Sequence, residues 1–142
     1  MPNMKVENKL VDISLRSALE KQGYKLTPER QHGETGVDIL ATKNSEQIHI
    51  EVIGYKLKGE TRSKDFFEVF FRAVSRLNDG AKKCVIALPC QWKKGFSRRV
   101  ANYKIAWERI GKAFPEVEIW FVDVDMQSYE IMKWCDCLKQ FP

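Results

Sequence analysis

Apolar residues recur along this chain with two periods, and the switches between them mark out the elements. Val11, Leu15, Ala18 and Leu19 stand at i, i+4, i+7 and i+8, one face of an amphipathic helix predicted over residues 6–22. Gly23 ends it, with Lys21 in the last turn. Residues 24–30 contain Pro28 and read as an edge strand or an irregular extended piece. Two strand-like runs come next, 36–42 and 46–55, joined by a hairpin turn through Lys43, Asn44, Ser45 and Glu46. Residues 56–63 are polar and basic, a loop holding Gly59.

A second helix is predicted over 64–78. Phe66, Phe70, Ala73, Val74 and Leu77 form its apolar stripe, while Lys64, Glu68, Arg72 and Arg76 fall at i, i+4 spacing on another face. Asp79 and Gly80 end it. Residues 83–88 are a continuous apolar run, as expected of a strand buried on both faces, and Pro89 closes it. A third helix is predicted over 97–113, with Tyr103, Trp107, Ile110 and Phe114 on one side, then a fifth strand over 117–124. The tail from Met126 is predicted to be helical and to cap the sheet. A hairpin and then strands separated by helices means crossover connections. The expected fold is α/β: one mixed sheet of four or five strands flanked by helices.

A length of 142 residues suits a single domain spanning 1–142, and a hydrophobic content of 44% suits a globular one. No run approaches the ~20 apolar residues of a membrane span. The N-terminus has no apolar stretch of signal-peptide type, so the expected compartment is the cytoplasm, with no membrane partner. The net charge of +5 favours a polyanionic partner. Its distribution sharpens this: Lys56, Lys58, Arg62 and Lys64 crowd one connection, and Lys93, Lys94, Arg98, Arg99 and Lys104 crowd another beside Trp92, Phe96 and Tyr103. Either cluster alone is as readily a solvated surface. The four cysteines, Cys84, Cys90 and the C-x-C pair Cys135 and Cys137, lack the spacing of a zinc site and read as reduced thiols. His32 and His49 are isolated. His49 alternates with Ile48 and Ile50, so it reads as an outward-facing or satisfied side chain.

The candidate chemistry lies in the hairpin. Asp38 and Glu51 each sit inside an apolar strand run, and antiparallel pairing would put both on one face at one end. Carboxylates so placed are costly unless they meet positive charge. A hard divalent cation, Mg2+ or Mn2+, wants such oxygens and few protein ligands.

With these residues the chain resembles the restriction-endonuclease-like superfamily of PD-(D/E)xK nucleases. Residues 6–89 reproduce its core order of helix, three strands, helix, strand; residues 90–142 add a helix, a strand and a tail. Gly36-Val37-Asp38 matches the first half of the motif, with valine in the usual proline place, and Glu51-Val52-Ile53 matches the second, with isoleucine in the lysine place. Many members also carry an acid in the first helix about three turns before its terminal glycine, and Asp12 fits that place relative to Gly23.

The resemblance implies a metal-dependent endonuclease hydrolysing DNA phosphodiesters, with RNA the less favoured substrate. Asp38 and Glu51 would hold the metal with the Val52 carbonyl and Asp12. The missing lysine leaves two readings open. A bulge at Gly54 would shift the strand alternation and bring Lys56 to the Glu51 side to serve as the catalytic amine, with Lys58 a more remote candidate. Alternatively Ile53 is a true loss, and the domain is a degenerate nuclease fold that binds nucleic acid or an acidic protein without cutting. In the first reading Arg72 and Arg76 approach the phosphates, against the simpler expectation that they pair with Glu68. Nucleic-acid contacts are expected from Lys58, Arg62, Lys64, Arg72, Arg76, Lys93, Lys94, Arg98 and Arg99. The apolar tail around Trp134 is a candidate homodimer contact.

Overall fold

The computed structural model of the chain describes residues 4–29 and 36–140. The expected order holds through β5, and the elements are α1 (Asn8–Lys21), β1 (Lys25–Leu26), β2 (Ile39–Lys43), β3 (Glu46–Val52), α2 (Gly59–Ser75), β4 (Cys84–Pro89), α3 (Phe96–Asn102), α4 (Lys104–Ala113), β5 (Val117–Asp123), β6 (Ser128–Lys133) and α5 (Cys137–Gln140), with one strand and one helix more than expected. The last part of the predicted extended piece, Arg30, and the isolated His32 lie outside the described residues. Among the described residues, no helix is long and apolar enough to cross a membrane.

The strands form one six-stranded mixed sheet in sequence order, β1-β2-β3-β4-β5-β6. β2 and β3 pair antiparallel with Ile39 opposite Ile50, through a turn in which Asn44 takes a positive φ of 56°. β3, β4 and β5 run parallel, with α2 crossing between the first two and α3 and α4 between the second two. Every residue of β4 is buried, as its unbroken apolar run demands. α1 lays Val11, Leu15, Ala18 and Leu19, all buried, onto the sheet.

Three expectations about the elements need correction. The tail is not a helical cap: β6 pairs antiparallel with β5 over Asp123–Ser128 to Glu118–Lys133. The cause is the turn between them, where the Asp123 carboxylate accepts the N–H groups of Asp125 and Met126 and Gln127 adopts a φ of 51°. That hairpin covers what would otherwise be the open edge of β5. Trp134, just beyond it, is buried against Trp107 and is not an exposed contact surface. The predicted third helix is two, broken at Tyr103 (φ −115°, ψ 28°). The break lets Phe96 and Trp107 both turn inward while Tyr103 stays exposed. The second helix starts at Gly59, so the basic stretch around Lys58 and Arg62 forms its first turn rather than a loop, and it ends in a tighter turn at Arg76–Asp79.

Gly54 is also not a bulge that redirects the strand. Ile53 continues the β3–β4 ladder, its N–H donating to the Ala87 carbonyl at 3.0 Å. Tyr55 then pairs antiparallel with Val6, exchanging two backbone bonds of 2.9 and 2.8 Å. Between them the N-terminal segment passes so close that a Cβ on Gly54 would lie 2.1 Å from the Val6 oxygen. The Gly54 N–H donates to the Asn8 side chain and its carbonyl accepts the Trp92 indole N–H. Glycine is required for this approach.

Gly54→Ala must push the N-terminal segment off the end of β3. We expect a loss of about 1–3 kcal/mol or more in urea unfolding, the cost of overpacking a site with no slack; a variant as stable as the parent would show that Val6 can move freely. His49, for its part, is buried rather than outward-facing, with no hydrogen-bond partner for Nδ1 among the described residues. Burial holds its pKa below the ordinary 6.5; Asp79 opposes the shift and Arg76 adds to it. The unfolded chain therefore takes up the proton first, and stability drops as pH falls below 6.5. His49→Leu should remove that part of the acid-side loss in thermal melts between pH 7 and 5.

Candidate functional site

The sheet register puts Asp38, one residue ahead of β2, across from Glu51, the penultimate residue of β3. The two acids nevertheless meet different partners. Asp38 sits just outside the regular ladder, and its carboxylate replaces a backbone acceptor: Oδ2 takes the Val52 N–H at 2.9 Å. Its own carbonyl accepts from Arg16 Nη2 at 3.1 Å. Arg16 also binds Asp12, with Nε 2.6 Å from Oδ1, so one guanidinium ties α1 to the mouth of the hairpin. Arg16 is a site residue that the motif does not point to; the only signal for it in the sequence is its i, i+4 spacing from Asp12.

Asp12, Asp38 and Val52 line one cavity of about 290 Å3, together with Asn8, Lys9, Glu29 and Arg72. Burial pushes the Asp12 carboxyl above its ordinary 3.8; the bond to Arg16 opposes this, while the charges of Glu29 and Asp38 add to it. The cavity thus gathers three carboxylates in a partly desolvated place, with Lys9 and Arg72 in its wall.

Glu51 points to the other helix. It is 2% exposed, and its oxygens lie 3.7 Å from Arg72 Nε and 4.0 Å from Arg76 Nε on α2. Arg76 also pairs with Asp79 at 3.0 Å. Two arginines separated by four residues on one helix face straddle a single buried carboxylate. Their expected partner Glu68 is exposed and takes no part in these pairs. Arg72 therefore touches both Glu51 and the acid-lined cavity.

The donor set suits a hard cation in part. Asp12, Asp38 and Val52 belong to one cavity, and Mg2+ is commonly held by one or two carboxylates with waters. Glu51 does not line this cavity and faces the two arginines at 3.7 and 4.0 Å, longer than hydrogen bonds. Among the described residues no three His, Cys, Asp or Glu side chains form a group able to enclose a metal ion. Ile53, in the motif lysine place, is buried in the core. Lys56 is not brought to the acids: its ammonium pairs with Asp65 at 3.1 Å and does not line the cavity.

The remaining basic residues divide. Lys58 and Lys64 are exposed around the start of α2. Lys93 is neutralised by Glu130 at 2.5 Å. Arg62, Lys94, Arg98 and Arg99 converge on a second, larger cavity with Tyr55 and Trp92. Sequence spacing gives no hint that residues 62 and 99 meet, since they come from α2 and α3.

Comparison with known proteins gives a fold likeness. The chain is similar to the crystal structure of an XisH family protein from Nostoc punctiforme, at 19% identity and a TM-score of 0.59, over 87% of this chain and 99% of that one. It is similar too to an fdxN element excision controlling factor protein from Anabaena variabilis, at 16% identity and a TM-score of 0.60, over 88% and 99%. No family model and no curated protein matches the sequence. At these identities the likeness concerns the fold.

Removing one arginine leaves Glu51 buried with half its compensation. Arg76→Met should cost roughly 3 kcal/mol in urea unfolding, and Glu51→Gln in that background should recover part of it. A double-mutant cycle should give a coupling of about 0.5–3 kcal/mol. Strict additivity would mean that the two groups do not interact in solution.

Proposed function

We propose that this chain acts on DNA as a metal-dependent endonuclease of the restriction-endonuclease-like type, with the cavity between α1 and the β2–β3 hairpin as its phosphodiester site. The observation that carries the reading is the convergence of Asp12, Asp38 and Val52 with Arg72 on one cavity. In the family motif the acids match and the lysine does not, so a cation must come from elsewhere. Lys9 and Arg72 are the cations that line the cavity, and Arg72 is the one that also reaches the motif acid Glu51, whereas Lys56 is engaged with Asp65. The fold likeness to proteins named for an XisH family and for control of element excision agrees with a DNA-directed role.

A bound Mg2+ or Mn2+ would polarise the scissile phosphate and acidify a coordinated water. Asp38 is oriented for this by the Val52 N–H, and Asp12 by Arg16. Arg72 would offset negative charge developing on the phosphate, a task at which a preorganised cation in a partly desolvated site is worth several kcal/mol.

A second reading has its own support. The buried clamp of Arg72 and Arg76 on Glu51, with Ile53 in the core, suits a degenerate module that retains the fold and binds nucleic acid or an acidic protein without cleavage. In that case the arginines fill the charge that a cation would otherwise supply.

Incubation with linear and supercoiled DNA in Mg2+ and Mn2+ separates the two. The endonuclease reading expects cleavage that Asp38→Asn and Arg72→Met each reduce by about a hundredfold or more, while Lys56→Ala cuts almost as the parent does. Calorimetric Mn2+ binding should be lost in Asp38→Asn, a readout independent of turnover. An inert parent that gains metal-dependent cleavage through Ile53→Lys would establish the degenerate reading instead.

A further inference from the structure

The second cavity, about 570 Å3, opens beside the end of β3 and lies between α2 and the start of α3. Four cationic side chains line it, Arg62, Lys94, Arg98 and Arg99, and no carboxylate among the described residues does. Two basic side chains beside it are matched: Lys56 has Asp65 and Lys93 has Glu130. These four have no acidic partner among the described residues.

The two inner arginines are held in place without using up their charge. The Arg62 guanidinium lies 4.8 Å from the centre of the Tyr55 ring, and its Nη1 donates to the carbonyls of Lys56 and Leu57. The Arg99 guanidinium lies 5.3 Å from the Trp92 ring and 5.4 Å from Phe66, and its Nη2 donates to the Ser63 hydroxyl at 3.3 Å. A guanidinium carries five donors, so each arginine is anchored through one nitrogen and has others for a ligand. Burial depresses the Arg99 pKa; Tyr103 opposes the shift, and the charge of Arg62 adds to it. The pair thus repel one another in a partly desolvated place, an arrangement that an anion would relieve. Forked guanidiniums match phosphate oxygens two at a time.

We propose that this cavity is a phosphate-binding pocket for a nucleic-acid strand, with Arg62 and Arg99 gripping one phosphoryl group and Lys94 and Arg98 at its exposed rim. The ligand is recognised by phosphate and not by base. Tyr55 and Trp92 are each only 3% exposed, and their faces are already covered by the guanidiniums, so they offer no stacking platform. Trp92 also spends its indole N–H on Gly54. The pocket lies at the same end of β3 as the acid-lined cavity. Val52 lines one and Tyr55 the other, and three residues of chain span at most about 10 Å. A strand anchored in the basic pocket would present a neighbouring phosphodiester toward Asp38. In this last respect, and in the choice of nucleic acid as the phosphate donor, the inference rests on the proposed endonuclease function.

The test is fluorescence anisotropy with labelled single-stranded and duplex oligonucleotides over a series of salt concentrations, in EDTA so that no cleavage contributes. Arg62→Met and Arg99→Met should each weaken binding about tenfold, as expected for loss of a charged hydrogen-bonding partner. Each should also flatten the logarithmic salt dependence for the single strand by about 0.7. Lys94→Ala with Arg98→Ala changes only exposed side chains, so it keeps the test valid if the inner variants unfold, and should flatten the slope by roughly twice as much. Inorganic phosphate should compete with the parent and not with Arg62→Met. Oligonucleotides with and without a 5′-phosphate identify the source: a strong preference for the phosphorylated end marks a terminal monoester, and equal binding marks the backbone diester.

Failure of the parent to bind any oligonucleotide would overturn the proposal, as would unchanged affinity and slope in folded pocket variants. The outcomes are separable from those for catalysis. A parent that cuts nothing but loses binding through Arg62→Met keeps the pocket and removes the nuclease. A parent that cuts DNA equally well with and without the pocket arginines keeps the nuclease and removes the pocket.

Discussion

A carboxylate inside a sheet that is covered on both sides has to be neutralised, and the burial of Glu51 imposes that condition on everything around it. β3 is central, paired with β2 and β4, and its second half is fully buried. Glu51 lies in that half, where an isolated charge would be several kcal/mol out of balance. α2 answers with Arg72 and Arg76, one turn apart. The rotation of α2 about its own axis is set by that demand as much as by its apolar stripe. With the arginines directed at Glu51, Phe66, Val69 and Ala73 are the residues that enter the core.

That orientation has consequences at both ends of the helix. Phe66 packs among Trp92, Phe96, Trp107 and Trp134, with ring centres 5.8–6.2 Å away. Trp107 and Trp134 stack at 3.8 Å and exchange bonds, each indole N–H donating to the other residue's carbonyl. The stack locks the segment after β6 onto α4, which is why Trp134 is part of the core. At the other end, the first turn of α2 brings Arg62 and Ser63 beside Tyr55 and Arg99, and the basic cavity forms there.

The end of β3 therefore separates two chemistries. Toward α1 and the hairpin mouth lie Asp12, Glu29 and Asp38; toward α3 lie four cations with no carboxylate among the described residues lining their cavity. The N-terminal segment, threaded against Gly54 and paired with Tyr55, is the fixed point between them. One hollow gathers three carboxylates with Lys9 and Arg72, and the next holds cations without a lining carboxylate among the described residues.

The layout is legible in the chain read alone: the helical period of Val11, Leu15 and Leu19, the hairpin around Asn44, the two-sided burial of β4 and the crossover helices are all local patterns with one packing solution. Asp38 and Glu51 also stand out there, because carboxylates in apolar surroundings break any such pattern, whereas Asp12 is singled out only by the family resemblance. The groups that answer those charges do not. Arg72 reaches Glu51 rather than its i−4 neighbour Glu68 because a desolvated charge binds a partner more strongly than an exposed one does, and desolvation is a property of the assembled sheet. Gly54 reads as a bulge until the approach of Val6, 48 residues earlier in the chain, supplies the reason for its missing side chain. The strand in the tail is turned back by the local Asp123 turn, but its pairing needs an edge of β5 that exists only once the sheet is built. The meeting of Arg62 with Arg99 is decided by the docking of α2 against α3, since contacts between distant segments leave no period in the sequence.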